Sequence, residues 1–324
     1  MISRTGVTRF KAALLVAVMA GFAVPVMAQQ AQLSIESSSA QKAPATPAPP
    51  VEAPAGAVGG MGDVNIYPKR IVIDDRARLG SIGLFNRAAA AGEYEISIAD
   101  MMMSEDGRLT ELANVTDEAA KARVHPATPL LRWSPHRVSL AGNEAQTVRV
   151  MLNARGETPP GEYRSHFMIL SVPSDVDGGL TINDAAGEKK PDGIGVRIVP
   201  RFGISIPVIV RIGETTLDVS LSDPKMVAAT IGGATSGKAI GMVVHRAGTR
   251  SAFGDLTVTN GRVIVAQIKG VGVYTEIASR AVQVPIDPKA DPKLVAAGQK
   301  LVATYTDDDA APGKVLARAE FSVP

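Results

Sequence analysis

From Ile194 to Val210 every second residue is apolar: Ile194, Val196, Ile198, Pro200, Phe202, Ile204, Ile206, Val208 and Val210. The other register is mixed and carries Gly195, Arg197, Arg201, Gly203, Ser205 and Arg211. A period of two means a β-strand with one buried face. Strands commonly run about 5–6 residues, so one strand over residues 193–211 would outrun the sandwich that covers it. Pro200 and Pro207 lack an N–H, which places such a strand at an edge or a bulge. An open edge recruits further strands, and proteins normally hide it. The competing reading is two ordinary strands in succession with a kink at Pro200.

The rest of the chain is read against that strand. Val64 to Ile73 reads as one strand with an edge or kink at Pro68. Leu79 to Phe85, Tyr94 to Ala99, Leu130 to Trp133, Arg137 to Leu140, Gln146 to Leu152 and Tyr163 to Val172 follow. A polar connection over 104–126 is partly helical in pattern. Gly and Pro punctuate the gaps, as in Pro159-Pro160-Gly161. Ser174 to Asp192 holds five acids and two lysines and reads as an exposed loop. After Gly213 the pattern continues with Leu217 to Leu221, Ala239 to His245, Gly272 to Ile277, Val282 to Ile286, Lys300 to Tyr305 and Val315 to Val323. Asn260-Gly261 between two such runs signals a hairpin, and 288–297 reads as a short helix. Many short strands with few helical stretches predict an all-β chain of two immunoglobulin-like β-sandwiches in tandem. The expected boundaries are 63–212 and 213–324.

The N-terminus reads as an export signal. Arg4, Arg9 and Lys11 precede an apolar run from Ala12 to Val26, and Val26-Met27-Ala28 suits cleavage after Ala28. A retained membrane anchor is the alternative. Residues 29–62, dominated by Ala, Pro and Gly, read as a disordered tether. Losing three basic residues and no acidic one leaves 31 Lys plus Arg against 32 Asp plus Glu, a net charge of −1. That balance gives no concentrated basic face for nucleic acid. With no cysteine, the chain can form neither disulfides nor a lipid-anchored cysteine. No later run is long and apolar enough to span a bilayer, so no membrane insertion of the mature chain is expected.

Four segments together resemble the PapD-like periplasmic chaperones of pilus assembly, closer to their spore-coat-like branch. They are Val64-Asn65-Ile66-Tyr67-Pro68-Lys69-Arg70-Ile71-Val72; Trp133 to Leu140 with Gly142 and Gln146 to Val150; Pro159 to Phe167 ending at Val172-Pro173; and Ile206 to Arg211. The match covers roughly residues 63–211; the second domain matches in position, size and β content. The resemblance implies a chaperone that lends a strand to pilus subunits lacking their last one, and passes them to an outer-membrane usher. The donor residues it implies are Ile194, Val196, Ile198, Phe202 and Ile204. Each side chain, once buried, would contribute on the order of 1.5–3 kcal/mol before ordering costs. A dimer in which two copies cap each other's edge is a further arrangement such a strand allows. The resemblance also implies a basic anchor for the subunit's terminal carboxylate. Arg70 fits its first position, and a guanidinium can offer a carboxylate two parallel donors. The second, a lysine four residues before Arg211, is replaced by Pro207; Arg201, Arg197 and Arg164 are substitutes. Arg211 suits an interdomain ion pair.

Other patterns carry little. Gly232 to Lys238 has P-loop spacing, but Ala239 offers no hydroxyl for magnesium, and the segment reads as a loop. Ser222-Asp223-Pro224-Lys225 has the Ser-x-x-Lys spacing, with a helix-breaking proline inside it. The four histidines lack ligand spacing. Asp307 to Asp309 reads as a charged turn, and Met101 to Met103 as packing. No enzyme, cofactor or metal is expected. Two rival readings are a structural pilus subunit or adhesin, and a carbohydrate-binding sandwich. One Trp and five Tyr are few for a sugar platform.

Overall fold

The computed structural model describes residues 53–54, 57–59, 63–153, 158–173, 180–181, 197–198, 201–231 and 234–324. The expected signal peptide and most of the tether lie outside the described residues. So do Ile194, Val196 and most of the acidic loop.

Among the described residues, the first half of the chain forms fourteen strands. β1 (Val58–Gly59), β2 (Val64–Tyr67), β3 (Ile71–Asp74), β4 (Leu79–Asn86) and β5 (Gly92–Ala99) come first. A small hairpin, β6 (Met101–Met103) with β7 (Leu109–Glu111), leads into a connection holding one short helix, α1 (Glu118–Lys121). There the Asp117 carboxylate accepts the N–H groups of Ala119 and Ala120, the usual N-cap arrangement. Next are β8 (Leu131–Ser134), β9 (Arg137–Leu140), β10 (Ala145–Leu152) and β11 (Gly161–Val172). β12 (Leu180–Thr181) pairs with β13 (Arg197–Ile198), and β14 spans Gly203–Ile212.

Two five-stranded sheets result, ordered β1-β2-β4-β10-β8 and β3-β14-β11-β5-β9. Within them β2-β4-β10-β8 and β14-β11-β5 reproduce the four- and three-strand faces of an immunoglobulin sandwich. The run expected as one strand, Val64 to Ile73, divides at Pro68. β2 pairs antiparallel with β4 in one sheet, and β3 pairs parallel with β14 in the other. Proline cannot donate to a ladder, so the change of sheet falls where a donor is missing anyway. Between the sheets, Ile66, Leu84, Leu131, Val148, Phe167 and Ile206 are buried in one core.

The second half contains β15 (Leu217–Ile231), β16 (Ala234–Gly248), β17 (Ala252–Asn260), β18 (Val263–Val273), β19 (Ser279–Pro285), β20 (Lys300–Asp307) and β21 (Val315–Ser322). Its sheets are β15-β16-β19 and β18-β17-β20-β21, closing on Ile240, Val244, Leu256, Val258, Leu301 and Tyr305. The buried Tyr305 hydroxyl donates to the Val271 carbonyl at 2.7 Å, as a polar group in such a core must. Gly213 joins the halves with φ +65°, a conformation that favours glycine.

Three local readings are revised. The expected Asn260-Gly261 turn sits one residue later, because Asn260 pairs with Val263 and leaves Gly261-Arg262 as the turn. Asn260 is held in the strand by its side-chain amide, which donates to Leu294 O and Gln299 Oε1, both at 2.8 Å. Ala234 to Lys238, expected in a loop, belongs to β16, and Ser222 to Lys225 lies across a bulge of β15. The expected helix at 288–297 is a single 3-10 turn, Pro292–Val295.

Candidate functional site

β14 is paired unequally along its two sides. β11 accompanies it from Gly203 to Ile212, whereas β3 covers only Val208 to Arg211. Among the described residues, the outer edge from Gly203 to Pro207 therefore has no strand partner, and such an edge presents unpaired backbone groups. The register explains the alternation in the sequence. Ile204, Ile206, Val208 and Val210 point into the first sandwich's own core, while Gly203 and Ser205 are exposed. Ile204, read as a donor residue, is 8% exposed and packs within its own chain. Phe202, two residues earlier on the same register, is 39% exposed.

The long strand is divided before Gly203, although β11 itself continues to Val172. The last β11–β14 pair is Leu170 with Gly203. Ser171 then takes over: its N–H donates to Phe202 O at 2.8 Å, and its hydroxyl accepts the Phe202 N–H at 2.9 Å. Ile198 lies in the separate β13, paired with Leu180.

Where β3 begins, the edge meets a cluster of charges. The residues just before the first β3–β14 pair are Arg70 and Pro207. Arg70 reaches across to the second sandwich, donating to the Asp308 carboxylate at 2.8 Å and the Asp308 carbonyl at 2.5 Å. Its guanidinium lies over the Phe253 ring, 4.5 Å from the centroid. Lys69 pairs with the same Asp308 carboxylate. Burial pushes the Asp308 carboxyl up, but hydrogen bonds and charge from Lys69 and Arg70 outweigh it and hold the group below its ordinary range.

Arg211 is about as buried as Arg70. It donates to Glu162 at 3.0 Å and pairs with Asp309, which also lies 3.7 Å from Arg250. Glu162 in turn accepts the Ser251 N–H at 3.0 Å. Asp307 shapes the turn by accepting the N–H groups of Asp309 and Ala311. Arg201, one of the substitute anchors, makes an exposed pair with Glu95 at 2.7 Å.

Arg164, another substitute, belongs to a third junction that the sequence did not reveal. It pairs with Glu276 at 2.5 Å, both side chains being 2% exposed. It also donates to Met101 O at 3.1 Å and lies 3.7 Å over the Tyr274 ring. Glu276 further accepts the Met103 N–H at 2.8 Å, and Arg123 donates to the Glu276 carbonyl at 3.1 Å. The only hint was a charge in the middle of an apolar strand, between Tyr163 and Phe167; Glu276, more than a hundred residues on, carried none.

Fold and site define a two-domain immunoglobulin-like β-sandwich protein with an open strand edge beside an arginine-rich joint. No protein-family model matches the chain, and no curated protein does. Among solved structures it is similar to the YadV chaperone, at 12% identity and a TM-score of 0.42, over 80% of this chain and 100% of that one. It is also similar to the CupB2 chaperone of Pseudomonas aeruginosa, at 10% identity and a TM-score of 0.39, over 80% and 100%. A third is the chaperone–tip subunit complex CsuC–CsuE from the archaic Csu pili of Acinetobacter baumannii, at 10% identity and a TM-score of 0.38, over 80% and 96%. Among the described residues, no helix is long and apolar enough to cross a membrane, and no group of three or more His, Cys, Asp or Glu could hold a metal.

Proposed function

We propose that this chain is a non-enzymatic periplasmic chaperone of the PapD-like type, spore-coat-like branch, which lends a strand to incomplete pilus subunits and passes them to an outer-membrane usher. The observation that carries this reading is the outer edge of β14 from Gly203 to Pro207, left open by β3. A subunit strand added there would satisfy backbone groups on both partners. The apolar register of the edge continues in sequence through Phe202 to Ile198, Val196 and Ile194. These are the side chains that would enter a subunit's unfilled core, because Ile204 and those beyond it already fill their own. The signal-like N-terminus supports an exported chain.

The reading is tested by co-expressing the tagged chain with exported β-proteins encoded beside it. A small partner should copurify one to one. Val196→Asp or Ile198→Asp should abolish capture without altering the chain's own unfolding curve, because both precede the residues that fill its core. No partner in wild type, or full capture by both variants, would overturn strand donation.

A further inference from the structure

The two kinds of arginine joint differ in how far water reaches them. Arg164 and Glu276 are both 2% exposed. At the rim, Lys69 is 48% exposed, Asp308 15% and Arg70 10%. Asp308 sits at the start of the turn joining β20 to β21, whose residues Ala310 to Lys314 are exposed. The turn does not depend on it. Asp307 holds the local shape through two backbone N–H groups, and Asp309 fastens the turn to Arg211. The Asp308 side chain accepts only from Lys69 and Arg70 among the described contacts. Two cations on one carboxylate, with the arginine backed by Phe253, make a built carboxylate site, here filled by the chain itself. Its position matters, because Arg70 stands where the open edge of β14 ends and β3 begins.

We propose that Asp308 is an exchangeable self-ligand: it occupies the Lys69–Arg70 carboxylate site in the free chain and must leave before a carboxylate at the end of a strand added to β14 can take its place. The inference rests on the strand-lending reading and adds a regulatory contact to that site. The apparent affinity for a carboxylate ligand is lowered by the fraction of chains in which Asp308 is bound. The contact thereby narrows the advantage that a strand ending in a carboxylate at Arg70 holds over an uncharged one.

The test uses the full chain and three N-acetylated apolar hexapeptides: one with a free C-terminal carboxylate, its C-terminal amide, and an amide with Glu as the last residue. Binding is followed by calorimetry, and the Arg70 Nε–H signal by NMR. In Asp308→Asn the ratio of acid to amide affinity should rise about tenfold over wild type, and Arg70→Gln in that background should abolish the rise. A gain for the free carboxylate alone, or for both acidic peptides, upholds the self-ligand and tells whether a chain terminus or any carboxylate is accepted. An unchanged ratio overturns it. So does a wild-type Arg70 signal that stays still at saturating acid peptide, a readout that does not depend on the variant's folding. Subunit capture is scored separately: failed capture with an intact acid gain would overturn the chaperone reading alone.

Discussion

Replacing Glu276 with alanine is expected to destabilise the chain by about 3–5 kcal/mol, the usual cost of leaving one member of a buried ion pair without its partner. Arg164 would keep its charge in a place where its side chain is 2% exposed. It would retain only the Met101 carbonyl, the Tyr274 ring and a 3.4 Å contact to His166, none of which carries a full negative charge. Urea unfolding of the variant measures the loss. Arg164→Met should cost a similar amount for the mirror-image reason. The double variant Arg164→Met/Glu276→Leu should cost clearly less than the two singles together, because no charge is then stranded. Additive costs would mean that the pair contributes packing rather than charge compensation.

The second large effect is expected on acidification. His166 is 1% exposed on β11, with Arg164 3.4 Å from Nδ1 and the Tyr274 hydroxyl 3.5 Å from Nε2. Burial, and then the Arg164 charge, push this imidazole down from 6.5 to about 3. It is therefore neutral in the folded chain while the unfolded chain takes up a proton below about pH 6.5. Its contribution is full above pH 6.5. It is lost as the pH falls toward 3, at about 1.4 kcal/mol per pH unit. Unfolding curves at pH 7.5 and 4.5 should differ by about 3 kcal/mol from this group, and His166→Gln should remove that part of the slope. Asp308 contributes in a lower window: with its carboxyl held below 3.8, its share is lost only as the pH falls through that depressed value. An identical slope in His166→Gln would assign the loss to other groups.

Strands were legible in the sequence wherever one face is buried and the other wet. In β5, Tyr94, Ile96 and Ile98 are buried between exposed Glu93, Glu95 and Ser97, and the alternation is plain to read. Harder to see was where strands stop, because that depends on partners. Residues 194–210 keep one apolar register, yet β14 begins only at Gly203, because the Ser171 hydroxyl takes the Phe202 N–H where the ladder with β11 would continue. β15 and β16 extend to Ile231 and Ala234 because each has the other to pair with. Of the candidate site, Arg70 and Arg211 could be singled out in sequence, but their carboxylate partners could not. The Asp307–Asp309 turn reads as solvated charge until the fold brings it against two arginines from the other sandwich.

Two buried residues of the first half, with the partly buried Val72 and Leu109 beside them, complete the core of the second. Met103 and Ile209, at 4% and 0% exposure, pack with Ile240, Phe253 and Tyr274 rather than with their own sandwich. Ile209 does this from β14, whose other face fills the first core. A chain cut at Gly213 would therefore yield a C-terminal fragment with empty places in its interior and an N-terminal fragment with Met103, Ile209, Val72 and Leu109 left without their packing partners. Synthesis proceeds from the N-terminus, so the first sandwich can form before the second emerges. It would then present β14 as a ready surface on which the later strands close, making one strand the template for half of its own protein.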